Sequence, residues 1–182
     1  MVNSVKKSLL LSLLLSVFAL HAFGQSAISN NGEISFFSEK KGIKGVSNSF
    51  TSKLDLTAKT IVFSVPIQSF TLPKAMMQKH FNQKKVMDSK TYPKAKFKGE
   101  IMSEANFQLP GKYKVMVIGE MTMHGVTKPF KSNGTITVGK DGKISAKSSF
   151  DVKREDFGIK GMYPSFTSKI INLSLMANYE ME

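Results

Sequence analysis

The sequence predicts an all-β fold, an antiparallel β-barrel of about eight strands with one short helical crossing. Most of the chain alternates apolar and polar residues with a period of two, which is typical of strands that bury one face. Turn-forming pairs, such as Pro110-Gly111 and Asp141-Gly142, separate these runs. Many short strands without intervening helices favour a barrel or sandwich, and closure into a barrel removes exposed edges.

Each strand is predicted from its own run of residues. In the last run, for example, Leu173 and Leu175 alternate with Asn172 and Ser174. Less regular apolar runs predict four early strands at 33–37, 43–46, 50–56 and 60–67. Clear alternation predicts five more at 95–101, 113–121, 130–138, 144–152 and 171–179.

One stretch, residues 74–81, breaks the alternation. Met77 and Phe81 follow Pro73 and are four residues apart, a spacing that places both on one face of a helix. The sequence therefore predicts a short helix at this point, crossing the barrel at one end.

The first 24 residues have the pattern of a signal peptide. Lys6 and Lys7 precede an apolar run at 9–20, which is much shorter than the ~20 residues of a membrane span. Small residues at Ala22 and Gly24 favour cleavage directly after Gly24. We therefore expect an exported protein, periplasmic or secreted, whose single barrel domain occupies 25–182. The alternative for the leader is a short buried helix.

Composition narrows the possible functions. The chain has 182 residues, no cysteine and a formal net charge of +13. Without cysteine there is no disulfide framework, no thiolate zinc site and no cysteine nucleophile, so an exported fold must be held by its core. The charge favours an anionic partner. Export and the lack of a recognised nucleic-acid motif argue against nucleic acid.

Four segments, in order, resemble the YceI-like family of exported lipid-binding proteins. At 119–130 the chain reads Gly-Glu-Met-Thr-Met-His-Gly-Val-Thr-Lys-Pro-Phe, which resembles the strand-turn signature of that family. Segments 76–81, 92–97 and 150–158 resemble its helical segment, its tyrosine-proline strand and its late Arg-x-Asp-Phe-Gly strand. The resemblance extends over roughly 32–179.

The resemblance implies a lipocalin-like barrel with an apolar tunnel. Such a protein would sequester or carry a long apolar chain, a polyisoprenoid or another lipid such as an isoprenoid quinone, as a monomer or homodimer. Beyond that ligand we expect no cofactor, no metal and no catalysis. The helical segment departs from the family pattern, since Met77-Gln78 replaces a polar pair that often precedes the histidine.

The predicted tunnel lining consists of apolar residues on the inward faces of strands and helix. Flexible methionine suits an adaptable lining. The alternative is that these side chains fill the core. The residues are Phe36, Phe63, Val65, Met76, Met77, Phe81, Phe97, Val117, Met121, Phe150, Leu173 and Leu175.

Three polar residues are candidate contacts to the ligand head: His80, His124 and Arg154. Neither histidine has a His-x-His or Glu-x-x-His partner nearby, which argues against a metal site or a catalytic base, and a structural turn is the alternative for His124. An enzyme acting on a lipid-like substrate, with one of these histidines as base, is the rival hypothesis. Arg154 is the only arginine, and a brace to Glu155 or Asp156 is its structural alternative.

A basic cluster surrounds the predicted helix. Between residues 74 and 98 there are eight lysines and one acid, Asp88. Lysines near an anionic bilayer contribute about 1 kcal/mol each, so we expect transient contact with an anionic membrane surface. A solvated face and a module that binds anionic polymer are the alternatives. The cluster assigned to the membrane consists of Lys74, Lys79, Lys84, Lys85, Lys90 and Lys94.

The chain also contains an internal echo. The segment 42–53 recurs at 158–169, with the Gly-Ile-Lys-Gly and Ser-Phe-Thr-Ser-Lys parts identical. Two similar turn-and-strand segments explain the echo most simply. The alternative is that both copies lie side by side and present paired lysines and hydroxyls, which would bring Phe50 and Phe166 to the same end of the barrel.

Overall fold

A computed structural model describes residues 26–161 and 167–181. The predicted signal peptide and Phe166 lie outside the described residues. The described part contains nine strands and one α-helix. In chain order they are β1 (Ser26–Ser38), β2 (Ile43–Ser47), β3 (Thr51–Asp55), β4 (Thr60–Pro66), α1 (Ala75–Phe81), β5 (Lys94–Met102), β6 (Gly111–Met123), β7 (Val126–Val138), β8 (Ile144–Lys153) and β9 (Ile170–Met181).

Eight of these strands close an antiparallel barrel. Their order around the wall is β1-β3-β4-β5-β6-β7-β8-β9, and β9 pairs back onto β1 from Ala27 to Phe37. Neighbours in the ring are mostly consecutive in the chain, as expected for antiparallel strands joined by hairpins. The predicted all-β barrel with one helical crossing is thus confirmed.

The remaining strand, β2, lies outside the ring. It pairs with residues 34–38 of β1, whereas β3 pairs with residues 26–29. Because β9 occupies the other edge of β1, β2 and β3 follow one another along a single edge. The chain leaves that edge in the turn between β2 and β3, where the buried Ser47 has its Oγ 2.6 Å from Ser69 Oγ.

The chain from 67 to 93 crosses one end of the barrel, which we call the helical end. It leaves β4 at Pro66 and returns at Lys94, and these two residues face each other in the ladder. Helix α1 begins at Ala75, two residues after Pro73, as the sequence predicts. Phe81 is buried against the barrel and Met77 is half-buried.

The opposite end of the barrel is filled by side chains. Phe107, from the loop between β5 and β6, is buried with its ring 5.3 Å from that of Tyr113. Leu54 and Tyr179 are buried there too. Within 26–161 and 167–181, no helix has the length and apolar character needed to cross a membrane.

Candidate functional site

An apolar cavity of about 220 Å³ lies inside the barrel, towards the helical end. Inward-facing side chains of all eight ring strands except β3 line it, together with residues of the crossing. The residues that fill the opposite end, such as Leu54 and Phe107, are not part of this lining. The barrel is thus solid at one end and hollow at the other, a shape that suits a chain-like apolar ligand.

Ten of the twelve side chains predicted to line the barrel interior do contact the cavity. They come from six strands and from α1, and the alternation along each strand explains why they share the inner face. They are Phe36, Phe63, Val65, Phe81, Phe97, Val117, Met121, Phe150, Leu173 and Leu175.

The prediction was wrong for two residues of α1. Met76 is 71% exposed, and Met77 packs on the core without contacting the cavity. The helix turns residues 77 and 81 towards the barrel, so residue 76 points away by the geometry of one helical turn. Methionine type alone could not distinguish these two positions.

Three aromatic rings form a cluster where the crossing covers the cavity. The ring of Phe36 lies 5.3 Å from that of Phe81 and 5.5 Å from that of Phe70. Phe70 lines the cavity but was not predicted, and neither were Leu72 and Met87. The crossing has no strand or helix period at these positions, so its inward residues carried no sequence signal beyond their apolarity.

A second aromatic chain runs along the wall. Phe130 contacts Phe97 with a ring separation of 5.8 Å and Phe150 with one of 5.0 Å. Phe130 begins one of the alternating runs, so its inward direction could have been read from the sequence. It was assigned to a strand but not to the lining.

Arg154 is buried beside the cavity, where it stabilises the chain around it. Its Nη1 donates to the carbonyl oxygen of Ile159 at 2.7 Å, and its Nε donates to that of Ser168 at 3.0 Å. A longer ion pair of 3.7 Å joins it to Glu155. The predicted brace therefore exists with Glu155 but not with Asp156, whose described ion pair is with Lys153.

The two histidines lie outside the cavity. His124 and Gly125 form the turn between β6 and β7, both with positive φ, and His124 Nδ1 is 3.1 Å from the carbonyl oxygen of Phe157. The His124 ring packs 4.8 Å from that of Tyr92. On α1, His80 has its Nδ1 3.0 Å from Oε1 of Gln83, which lies two residues beyond the helix. The structure thus places neither histidine where it could contact a ligand head in the cavity.

The charges near the cavity are few and cationic. Among its described lining residues, Lys96, Lys147 and Arg154 are the ionisable side chains, and there is no carboxylate or histidine. The described chain also holds no group of three or more residues suited to a metal ion. The geometry therefore offers apolar contact, without the convergent acid and base that general acid–base chemistry needs.

The basic cluster lies at the helical end. All six of its lysines are exposed, and within the described chain none of their ammonium groups has an ion pair or a hydrogen bond. The first parts of the two repeated segments both reach the cavity. Ile43 and Ile159 are both buried and both line the cavity. Whether Phe166 lies beside Phe50 stays a prediction.

The fold and cavity define a class of protein: a closed antiparallel barrel with an apolar interior. A family model described as the YceI-like domain matches residues 25–178. The chain belongs to this family.

Two related sequences show the extent of the similarity. A UPF0312 protein of Pseudomonas putida (strain GB-1) is 34% identical over 106 residues, which are 56% of this chain and 52% of that protein. A UPF0312 protein of Vibrio cholerae is 30% identical over 131 residues, 66% of each chain. The matched part thus spans about half the length of the first relative.

Solved structures share the fold at low identity. A polyisoprenoid binding domain from Saccharophagus degradans, implicated in plant cell wall breakdown, superposes with a TM-score of 0.75 at 13% identity, covering 87% of this chain and 99% of that one. BcnA of Burkholderia cenocepacia gives a TM-score of 0.67 at 21% identity, with 81% and 95% covered.

Proposed function

We propose that the protein binds a long apolar chain, an isoprenoid or another lipid such as an isoprenoid quinone, and sequesters or carries it without chemical change. The observation that carries the proposal is the cavity, whose apolar lining continues from the aromatic cluster of Phe36, Phe70 and Phe81 to Phe97, Phe130 and Phe150. Burying such a chain contributes about 25 cal/mol per Å² of apolar surface, before the cost of ordering it.

The polyisoprenoid binding named for the Saccharophagus degradans domain supports this choice of ligand class. The geometry disfavours both rivals. An enzyme would need titratable groups converging on the chain, and His80 and His124 lie outside the cavity. A module that only binds anionic polymer through lysines would not need a hollow barrel.

Native mass spectrometry of the purified protein tests the proposal directly. We expect a co-purified lipid mass that disappears on delipidation, and a bound mass equal to that of geranylgeraniol when this alcohol is then added. In the variant Ala146→Phe the new ring would occupy the cavity, since Ala146 is part of its lining, and the variant should bind less. Lys98→Phe places the same ring on the outer face of β5, and this variant should bind normally. Equal binding by both variants would contradict a site inside the barrel.

We also propose that the helical end makes transient contact with anionic membranes. The six lysines of the basic cluster surround α1, and Met76 offers an exposed apolar side chain on the same helix. Cations near an anionic bilayer contribute about 1 kcal/mol each, and an apolar side chain can insert between the headgroups. Lipid could then move between the bilayer and the end of the barrel that holds the cavity.

Liposome flotation at low salt tests this contact. We expect binding to anionic vesicles, weaker binding to neutral ones, and a loss when four lysines of the cluster become glutamine. Four exposed lysines on the barrel wall and its far end, Lys98, Lys112, Lys140 and Lys143, supply the matched control. Equal flotation with neutral and anionic vesicles would contradict the proposal.

We further propose that the protein is exported after cleavage near Gly24. The basic, apolar and small-residue order of 6–24 supports this. Sequencing the amino terminus of the protein recovered from a periplasmic or culture fraction should give Gln25 first. An uncleaved cytoplasmic protein would contradict it.

A further inference from the structure

The barrel wall is split between β7 and β8. Their ladder runs only from the Gly134–Ser148 pair to the Val138–Ile144 pair. Residues 126–133 of β7 and 149–153 of β8 remain paired with β6 and β9 on their outer edges, but no ladder pair joins them to each other. A closed barrel normally leaves no strand edge unpaired. This opening faces the hollow half of the barrel.

Side chains of β7 and β8 and the segment that follows β8 cover the opening between these two strands. We call the point where the β7–β8 ladder ends, at the Gly134–Ser148 pair, the fork. There, Ser132 Oγ lies 2.9 Å from Ser148 Oγ, and Ser148 Oγ donates to the carbonyl oxygen of Asn133 at 2.8 Å. At the helical end, the turn residue His124 contacts the carbonyl oxygen of Phe157. Between these contacts, the rings of Phe130 and Phe150 meet across the gap. The split is therefore a window whose inner side is apolar.

An outer cleft lies over the fork of this window. Lys114 faces Thr135 in the ladder, and Thr135 faces Lys147, so the two lysines flank one strand with their Cα atoms about 10 Å apart. Asn133 and Ser149 line the cleft at the window, and Met116 and Met176 contribute half-exposed apolar side chains. Glu33 is the one carboxylate of the lining, and it lies on β1, two strands beyond Lys147.

The cleft and the cavity meet at the fork. Gly134, Thr135, Lys147 and Ser148 line both, and Gly134 has no side chain to separate them. Lys114 and Lys147 have no ion pair within the described chain. Two free ammonium groups beside hydroxyl and amide side chains are suited to an anionic oxygen group such as a phosphate.

We propose that the outer cleft binds the anionic head of a lipid whose apolar chain passes through the β7–β8 window into the cavity. This rests on the proposed function, since the chain must first bind inside the barrel. The ligand class thereby narrows to long apolar chains with an anionic head. The proposed site for the lipid head lies on the barrel wall, so it is distinct from the basic cluster at the helical end.

Two probes that share the same isoprenoid chain but differ in their head group test the head site. They are geranylgeraniol, which is neutral, and geranylgeranyl monophosphate, which is anionic. We expect the protein to prefer the phosphate, and K114Q/K147Q to lose about tenfold in this preference, measured as the ratio of its affinities for the two probes. The control K98Q/K140Q removes two exposed lysines elsewhere and should keep the preference. An unchanged preference in K114Q/K147Q would overturn the head site.

A cross-link tests the window. The native chain has no cysteine, so a short bis-maleimide reacts only with engineered positions. Joining K131C to D151C across the gap should slow geranylgeraniol association at least tenfold, whereas K98C/E120C, a facing pair in the intact β5–β6 ladder, should not change it. Equal rates would overturn the window while leaving the proposed function standing. If the unmodified protein binds neither probe, both proposals are wrong.

Discussion

The hydroxyl of Tyr179 lies 2.8 Å from Ser52 Oγ in the filled end of the barrel, where both side chains are buried. Ser52 has one hydroxyl hydrogen and donates it to the carbonyl oxygen of Val62 at 3.0 Å. Tyr179 is therefore the donor to Ser52. These two hydrogen bonds join β9 to β3, which lie far apart in the sequence, and continue from β3 to β4.

This arrangement makes stability depend on pH in the alkaline range. Burial raises the pKa of Tyr179 above its ordinary value of 10.0. A raised folded-state pKa means that the folded protein retains the proton longer than the unfolded chain. The resulting stability is fully present below about pH 10 and is lost as the pH rises through the folded-state pKa.

The variant Tyr179→Phe tests this linkage. It should cost about 1 kcal/mol of unfolding free energy at neutral pH, because Ser52 keeps its bond to Val62. The difference between wild type and variant should shrink above pH 10. Urea unfolding at several pH values measures it, and a difference that does not change with pH would contradict the assignment.

Arg154 should be required for stability even without ligand. Replacing it by lysine leaves one ammonium to serve the carbonyls of Ile159 and Ser168, so one buried acceptor loses its charged donor. We expect a loss of about 1–3 kcal/mol in lipid-free protein. Lys153→Ala, which removes only an exposed ion pair, should cost less than 1 kcal/mol.

Thermal unfolding of both variants, with and without geranylgeraniol, separates a brace from a ligand clamp. If Arg154 is a structural brace, Arg154→Lys should lower the melting temperature by the same amount with and without geranylgeraniol. If Arg154→Lys were harmful only in the loaded protein, Arg154 would act on the ligand and the structural assignment would be wrong.

A pair of facing glycines permits the close approach of β5 and β6. Gly99 is opposite Gly119, and a Cβ atom on Gly119 would lie 2.2 Å from the carbonyl oxygen of Lys98. Backbone must shift to accept it, so Gly119→Ala should lose about 1–3 kcal/mol. Gly142→Ala would meet no atom within 4 Å but carries a positive φ of 78°, so it should lose only the smaller conformational cost, near 1 kcal/mol. Equal losses in chemical denaturation would contradict the close-approach explanation.

The two-residue periodicity of the sequence was sufficient to predict which side chains of the barrel wall point inwards, but not which side chains of the crossing do so. The alternation that placed Phe97, Val117 and Leu173 inwards follows directly from the pleat of a strand, which is local. Phe70 and Leu72 lie in an irregular crossing, where only tertiary packing decides which side chain turns inwards. The split between β7 and β8 is likewise invisible in sequence, because Phe130 and Phe150 alternate regularly on both sides of it.

The two faces of α1 should respond differently to truncation. Phe81 is buried against Phe36, with stacked rings 5.3 Å apart, so Phe81→Ala should lower the free energy of unfolding by about 3–5 kcal/mol. Met76, five residues earlier on the helix and 71% exposed, should change it by less than about 0.5 kcal/mol when replaced by alanine. The same Met76→Ala variant should float less with anionic vesicles, whereas its binding of geranylgeraniol in solution should not change. Urea unfolding and flotation on one set of samples measure both effects, and a destabilisation of Met76→Ala as large as that of Phe81→Ala would mean that α1 presents the opposite face to the barrel.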